Sequence, residues 1–212
     1  MTKFLLVLLF FLPACNSEKD WVCVDGNCDN GNGTRLWKDS GYEKGTWKNG
    51  KLNGQGKQFF GNTSDFTGDT YNGEFKDDKY DGKGTYNDKS IGSTYVGDFK
   101  NGQANGIGIV TFDSTSKFAN QYYKGEWKDG KKEGYGTEFF GTMGKYKNDK
   151  YIGQWKNDRM DGIGKYFFST GSSYEGHWQN NLQQGDGIRI DKNGKAAKVH
   201  CETGDCVSVE NN

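Results

Sequence analysis

Four cysteines stand in two pairs with the same spacing, Cys23 with Cys28 and Cys201 with Cys206. Each pair encloses a glycine three residues after its first cysteine, where the chain can reverse tightly. Thiols in this arrangement can form two disulfides, or all four can bind one zinc ion. A separation of five residues allows the Cα atoms of each pair to approach within about 7 Å, so we favour two local disulfides. A four-cysteine zinc site, which would bring the two ends of the chain together, is the alternative.

The fifth cysteine, Cys15, ends a short apolar segment at the N-terminus. The apolar run Phe4 to Leu12 is too short for a membrane-spanning helix but suits the core of an export signal. The sequence Leu-Pro-Ala-Cys that ends at Cys15 resembles the bacterial lipobox, in which the cysteine is acylated, although proline is unusual there. We therefore expect residues 1–14 to be a signal peptide and residues 15–20 to be a tether lipidated at Cys15. An ordinary secretory signal is the alternative.

The remaining candidate residues do not predict catalysis. The chain has two histidines, of which His177 is expected on a solvated face and His200 has no Ser or Asp constellation that would make it a catalytic base. The Gly82-Lys83 pair lacks the other residues of a phosphate-binding loop. Two groups resemble calcium loops but lack required ligands: Asp77, Asp81 and Gly82, and Asp25, Asn27 and Asp29. We expect a non-enzyme without a cofactor or a metal.

The composition restricts the fold and the partners. Lys and Arg together number 28, as do Asp and Glu, so the formal net charge is zero and nucleic-acid binding is not expected. Glycine accounts for 33 of the 212 residues, and the single proline lies in the apolar N-terminal segment. Aliphatic residues are few after that segment, whereas aromatic residues make up 15% of the chain. Any core must therefore be aromatic.

A repeated unit covers most of the chain. It reads aromatic-x-Gly-x-Trp/Phe, and two further glycines follow nine and eleven residues after the first. Asn, Asp or Gly occupy the fourth and fifth positions after the first glycine, as a two-residue type I′ turn requires. Each unit is therefore predicted to be a β-hairpin with one aromatic face and one polar face. The first glycines are Gly45, Gly73, Gly97, Gly125, Gly153 and Gly176.

Further positions of the unit carry their own predictions. The fixed glycines are interpreted as bare backbone onto which aromatic side chains pack. The residue after the first glycine, such as Glu126 or His177, belongs to the polar face and is expected to be solvated. Three units are longer, and their insertions carry Phe66, Phe118 or Tyr146 five positions before the next tyrosine. We expect the insertions to fold back onto the sheet, with mobile surface loops as the alternative.

This pattern resembles the MORN repeat over about residues 42–190. The resemblance implies an all-β fold, an elongated single-layer antiparallel sheet of stacked β-hairpins, here of about 14 strands. Residues 21–41 resemble a degenerate N-terminal unit that would begin at Val22, and residues 191–212 form a C-terminal cap and tail. The two disulfide-closed loops would then cap the ends, where an exposed strand edge could otherwise pair with another chain.

Three functions follow from this organisation, since no second domain is left to house an active site. We expect a non-enzymatic protein-interaction scaffold in the bacterial cell envelope, at the periplasmic face of a membrane or at the outer membrane or cell surface. It would engage the membrane through its N-terminal lipid and would bind a protein partner of unknown identity. The alternatives are a protein that binds lipid headgroups or envelope saccharide through its aromatic face, and a structural spacer.

Overall fold

The computed structural model describes residues 20–62 and 65–209. The expected signal peptide, Cys15 and most of the tether lie outside these residues. The described residues form sixteen β-strands and no helix, so they include no helix that could cross a membrane. It forms two compact units that divide between Val110 and Thr111.

The strands follow one another in the sheet in sequence order, and each pairs with its chain neighbours. Their bounds are β1 Trp21–Gly26, β2 Gly31–Trp37, β3 Tyr42–Lys48, β4 Lys51–Phe59, β5 Thr70–Lys76, β6 Lys79–Asp88, β7 Ser93–Lys100, β8 Gln103–Phe112, β9 Tyr122–Lys128, β10 Lys131–Phe139, β11 Lys150–Lys156, β12 Arg159–Phe167, β13 Ser173–Gln179, β14 Leu182–Ile190, β15 Ala196–Glu202 and β16 Asp205–Ser208. The predicted antiparallel sheet of hairpins is confirmed, and it exceeds the expected strand number because both ends form hairpins as well.

The turns of the hairpins have the predicted type. Both central residues have positive φ in every regular hairpin, as in Asn157-Asp158, where φ is 48° and 66°. The second turn residue also contacts the preceding hairpin. The Asp158 N–H donates to the Lys132 carbonyl oxygen at 3.1 Å, and the Asp158 carboxylate accepts the Lys132 N–H at 2.8 Å. The backbone bond from the second turn residue to the preceding hairpin recurs at Gly50, Asp78, Gly102 and Asn181.

A buried tyrosine two residues before the first glycine organises five of the six regular hairpins; we call it the lead tyrosine. In β11–β12, Tyr151 lies over Gly153 and Gly164, which are opposite each other, and a Cβ on Gly164 would be 2.1 Å from the tyrosine hydroxyl oxygen. This hydroxyl donates to the Gln154 carbonyl oxygen at 3.0 Å. These glycines are packing sites, as predicted. The same hydroxyl bond recurs at Tyr71, Tyr95, Tyr123 and Tyr174.

The aromatic residue two positions after the first glycine, the second ring, links successive hairpins. The Trp155 ring meets Tyr151 of its own hairpin edge to face, with centroids 5.2 Å apart, and meets Tyr123 of the preceding hairpin at 5.3 Å. Its Nε1 donates to the Gly136 carbonyl oxygen at 3.4 Å. Hairpin β11–β12 thus buries a ring against the hairpin before it, as expected of repeats that stabilise one another by stacking. We call this side of the sheet the ring face and the opposite side the polar face.

The glycine nine positions after the first has a different function from the other two. Its φ is positive in all six hairpins, for example 106° at Gly162, because the strand bulges there. The side chain after the first glycine fills the bulge: the Gln154 Oε1 atom accepts the Ile163 N–H at 2.7 Å. Glu126 accepts the Tyr135 N–H in the same way. The interpretation of all fixed glycines as packing sites is therefore wrong for this glycine. Glu126 is exposed, as expected, and its carboxylate in addition fills the bulge.

The three insertions fold back onto the sheet, as predicted. In each of them the expected aromatic side chain contacts a phenylalanine at the end of the preceding strand. The ring centroids are 5.5 Å apart for Phe66 and Phe60, 5.3 Å for Phe118 and Phe112, and 6.0 Å for Tyr146 and Phe140. Backbone bonds also close the loops, since the Asn148 N–H donates to the Gly141 carbonyl oxygen at 2.7 Å.

The N-terminal cap has a register different from the predicted one. In a regular unit the first glycine lies opposite the glycine eleven residues later, as Gly45 lies opposite Gly56. In this cap the residue opposite Gly33 is Gly26 and not Val22. The hairpin β1–β2 is thus shorter than a regular one, because spacing alone placed the unit start four residues too early. The Cys23–Cys28 disulfide closes this shortened loop, with Cα atoms 5.9 Å apart.

The C-terminal cap uses its cysteines differently. Cys201 and Cys206 lie directly opposite each other in β15–β16, with Cα atoms 4.0 Å apart, and are disulfide-bonded. They occupy the register positions that Trp155 and Met160 hold in β11–β12. This disulfide therefore takes the place of a second ring and its partner. The four thiols are paired locally and are not gathered in one zinc site.

Candidate interaction surface

The rings that the sequence offers as a ligand surface are used for packing. No lead tyrosine or second ring is more than 6% exposed. Saccharides or lipids cannot stack on side chains that neighbouring rings already cover. The surfaces left for a partner in the described chain are the polar face, the turns and the loops. The covered rings are Trp47, Tyr71, Phe75, Tyr95, Phe99, Tyr123, Trp127, Tyr151, Trp155, Tyr174 and Trp178.

Charged groups replace rings at the N-terminal end of the ring face. Glu43 stands where other hairpins have the lead tyrosine, opposite Arg35 on one side. The Arg35 guanidinium lies between two indole rings, 3.8 Å from the Trp21 centroid and 4.0 Å from that of Trp47. It donates to the Gly50 carbonyl oxygen at 2.6 Å, whereas its Nε has no hydrogen-bond partner among the described residues. Stacking and one strong backbone bond thus hold a nearly buried cation.

Burial changes the protonation of Glu43. Loss of solvent raises the pKa of its carboxyl group to about 7, and the opposing charge of Arg35 only partly offsets this effect. The Gln58 Nε2 atom donates to Glu43 Oε1 at 3.2 Å, and the Tyr80 hydroxyl donates to Gln58 Oε1 at 2.6 Å. The sequence carries one signal for this cluster. The aromatic residue of the first unit, Tyr42, stands one position too early, which leaves Glu43 in the lead position.

A second charged pair interrupts the ring face in β10. Lys132 and Glu138 form an ion pair at 2.5 Å, and Gln121 Nε2 also donates to the carboxylate at 2.8 Å. The Lys132 ammonium lies 4.7 Å from the Trp155 ring centroid. In both clusters the carboxylate accepts a hydrogen bond from a glutamine side chain and faces a cation, which limits the cost of burying it.

The polar face of hairpin β3–β4 carries an unusual concentration of positive charge. Lys44 lies directly opposite Lys57, and Lys48 lies directly opposite Lys51. All four side chains are exposed, and the one carboxylate of the hairpin, that of Glu43, is buried on the ring face. Beyond the first pair the rings of Tyr42 and Phe59 stack with centroids 5.8 Å apart. We call these residues the basic aromatic patch: Tyr42, Lys44, Lys48, Lys51, Lys57 and Phe59.

Lysines elsewhere on the polar face have acidic neighbours. The Lys83 ammonium lies 2.7 Å from the Asp98 carboxylate, and Lys165 lies 3.0 Å from Glu175. Hairpin β9–β10 also has stacked rings, Tyr122 and Phe139, at 5.9 Å. Its polar face, however, includes glutamates, and its Lys124 is opposite a threonine instead of a second lysine. Lysines also face each other beside the turn of this hairpin, where Lys128 is opposite Lys131, so the feature that distinguishes β3–β4 among these examples is its second pair, Lys44 opposite Lys57.

The remaining sequence candidates do not converge on a site. Asp77 and Asp78 form a type I′ turn, and the Asp78 carboxylate accepts the Leu52 N–H at 2.7 Å. The His200 Nδ1 lies 2.6 Å from an Asp186 carboxylate oxygen, a hydrogen bond that raises the pKa of His200. Within residues 20–62 and 65–209, no cluster of three or more His, Cys, Asp or Glu side chains could hold a metal ion.

Comparison with known families agrees with this geometry. The model of the MORN repeat matches residues 44–64, 71–90, 95–117, 123–142, 151–173 and 174–196. These segments fall on the six regular hairpins and together cover more than half of the chain. No curated protein matches the chain. With six matched repeats, each built on the same turn and glycine pattern, the chain belongs to the MORN-repeat family.

Proposed function

We propose that this MORN-repeat protein is a non-enzymatic interaction scaffold of the bacterial cell envelope, anchored by a lipid on Cys15. MORN repeats make it a repeat protein involved in binding or interaction. The observation that carries the proposal is the contrast between the two faces of the sheet. The ring face is filled by its own side chains, whereas the polar face presents exposed lysines at the same position of successive hairpins. These lysines are Lys48, Lys76, Lys100, Lys128 and Lys156.

The start of the fold supports an N-terminal anchor. Strand β1 begins at Trp21, and Asp20 is already bonded: its carbonyl oxygen accepts the Lys38 N–H at 2.8 Å, and its carboxylate lies 2.9 Å from the Lys38 ammonium. Residues 16–20 can span at most about 18 Å. A lipid on Cys15 would therefore hold the N-terminal hairpins close to the membrane surface.

Fractionation of bacteria that produce the full chain tests the anchor. The wild-type protein should sediment with membranes and partition into detergent, whereas the Cys15→Ser variant should be released, because the acyl chains supply most of the attachment. A Cys15→Ser protein that still partitions like the wild type would contradict the lipid anchor.

Site-specific crosslinking in the same cells tests the scaffold. A photoreactive amino acid replaces Lys76, Lys128 or Lys156 on the polar face, and Met143, an exposed loop residue, serves as the control position. We expect protein adducts of defined mass from the polar-face positions and none from the loop. The absence of adducts at all three polar-face positions would contradict a protein-binding function of this face.

A further inference from the structure

We propose that the polar face of hairpin β3–β4 binds an acidic saccharide, a chain of sugars that carry carboxylate groups at intervals. This inference rests on the interaction function proposed above and assigns one class of partner to one part of the polar face. The site is the basic aromatic patch, and the argument uses its charge, its spacing and its accessible rings.

The charge of the patch is uncompensated. Side chains directly opposite each other in an antiparallel pair have Cβ atoms about 5 Å apart, and like charges at this distance destabilise the sheet. None of Lys44, Lys48, Lys51 and Lys57 forms an ion pair with another described residue. Two carboxylates lie nearby without an ion pair: Asp78 interacts electrostatically with Lys51, and Glu74 of β5 lies opposite Gln55. An anion placed between two paired lysines would relieve their repulsion.

The spacing of the two lysine pairs favours an extended polyanion. Lys44 and Lys48 are four residues apart on one strand, which corresponds to about 13 Å. Neutral polar side chains, those of Thr46 and Gln55, lie exposed between the two pairs. The hairpin therefore presents positive charge, neutral hydrogen-bonding groups and positive charge in a line. A saccharide with carboxylates on alternating sugars has the complementary order, whereas a single phosphate group would occupy only one pair.

The rings of the patch favour sugars over other polyanions. Tyr42 lies two residues before Lys44, about 7 Å away along the strand, and its ring stacks on that of Phe59. It is 37% exposed, in contrast to the covered rings of the ring face. The opposite neighbour of Tyr42 on β2 is Leu36, which is also exposed. A sugar ring has an apolar C–H face that can pack on such side chains, and a polyglutamate chain has no comparable surface.

Binding measurements on the full chain in a non-ionic detergent test the site. The probe is a fluorescently labelled oligogalacturonate of eight sugars. We expect the double variant Lys44→Gln/Lys57→Gln to bind it about tenfold more weakly than the wild type, because two charge contacts are lost. The matched control is Lys124→Gln/Lys198→Gln, two exposed lysines of β9 and β15 outside the patch, which should change the affinity by less than about twofold. Both variants alter exposed side chains, and a thermal melt of each verifies the fold.

Two further probes separate the saccharide from other anions. We expect Tyr42→Ala to weaken oligogalacturonate binding about fivefold and to leave the weaker binding of polyglutamate unchanged. Equal affinity for both polymers, unchanged binding by the β3–β4 double variant, or binding only to phosphatidylglycerol vesicles would each overturn the proposal. The fractionation and crosslinking results do not depend on saccharide, so failure of this site and failure of the proposed scaffold function are detected by separate measurements.

Discussion

Hairpins β11–β12 and β3–β4 share their turns and their fixed glycines, but they fill the same place on the ring face with different chemistry. Tyr151 and Tyr166 are opposite each other in the first, whereas Glu43 and Gln58 are opposite each other in the second. The glycine and turn positions thus fix the backbone independently of the side chains above it. The lead position accepts either a ring or an ionisable group, provided that neighbouring side chains satisfy its polar atoms.

The largest loss of stability should follow removal of the lead ring from β11–β12, a ring that β3–β4 does not have. Tyr151→Ala deletes a fully buried ring that covers two glycines and contacts two tryptophans, and it should lower the free energy of unfolding by about 3–5 kcal/mol. Urea denaturation measures the loss. The control Tyr151→Phe keeps the ring and removes only the hydroxyl bond to Gln154, at a cost of about 1 kcal/mol. Equal losses would show that packing of the ring is not the main contribution.

The second prediction concerns pH and applies only to β3–β4. Because burial raises the pKa of Glu43 to about 7 in the folded protein, from 4.5, the folded state holds this proton more tightly than the unfolded state. The wild type should therefore lose stability as the pH rises from about 5 to about 7.5, by on the order of 3 kcal/mol, and should change little from this group above that range.

The control for the pH prediction is Glu43→Gln, measured over the same range. Burial also raises the pKa of Asp69, Asp78 and Asp158, but these groups are present in both proteins, so most of their effect cancels in the difference. The remaining difference in unfolding free energy between wild type and variant should follow Glu43 and its electrostatic interactions with Arg35 and Asp78. A difference that does not vary with pH would mean that Glu43 is solvated in the folded protein.

The smallest predicted effect compares the bulge glycines of the two hairpins. Gly54 and Gly162 have nearly the same φ, 105° and 106°, so alanine at either position should cost about 1–2 kcal/mol of backbone strain. A Cβ on Gly162 would also lie 2.2 Å from the Gln154 Oε1 atom, whereas on Gly54 the nearest atom is 3.6 Å away. Gly162→Ala should therefore cost about 1 kcal/mol more, the value of the displaced hydrogen bond. Thermal melts of the two variants check this, and identical costs would show that the bond contributes nothing.

The hairpins, their turns and the local disulfides could be predicted from the sequence because they depend on residues close together in the chain. The bulge could not, since the spacing of Gly162 does not reveal its φ, and Gly26 could not be recognised as a first glycine in a shortened hairpin. The basic aromatic patch also escaped prediction. That Lys44 and Lys57 oppose each other follows from the register of β3 and β4, which the bulge shifts, and a pattern along one strand does not contain it.

The C-terminal cap also limits the length of the array. Trp178 packs on Tyr151, the lead tyrosine of the hairpin before it, with centroids 5.4 Å apart, so the second ring of a hairpin packs on the lead position of its predecessor. In the cap hairpin the register places Ala197 at the lead position and the disulfide-bonded Cys201 and Cys206 at the positions of a second ring and its partner, so neither position offers an aromatic face. Duplication of a unit between regular hairpins would extend the protein, whereas a unit added after the cap would have nothing to pack on. The cap therefore acts as a terminator that sets the number of repeats.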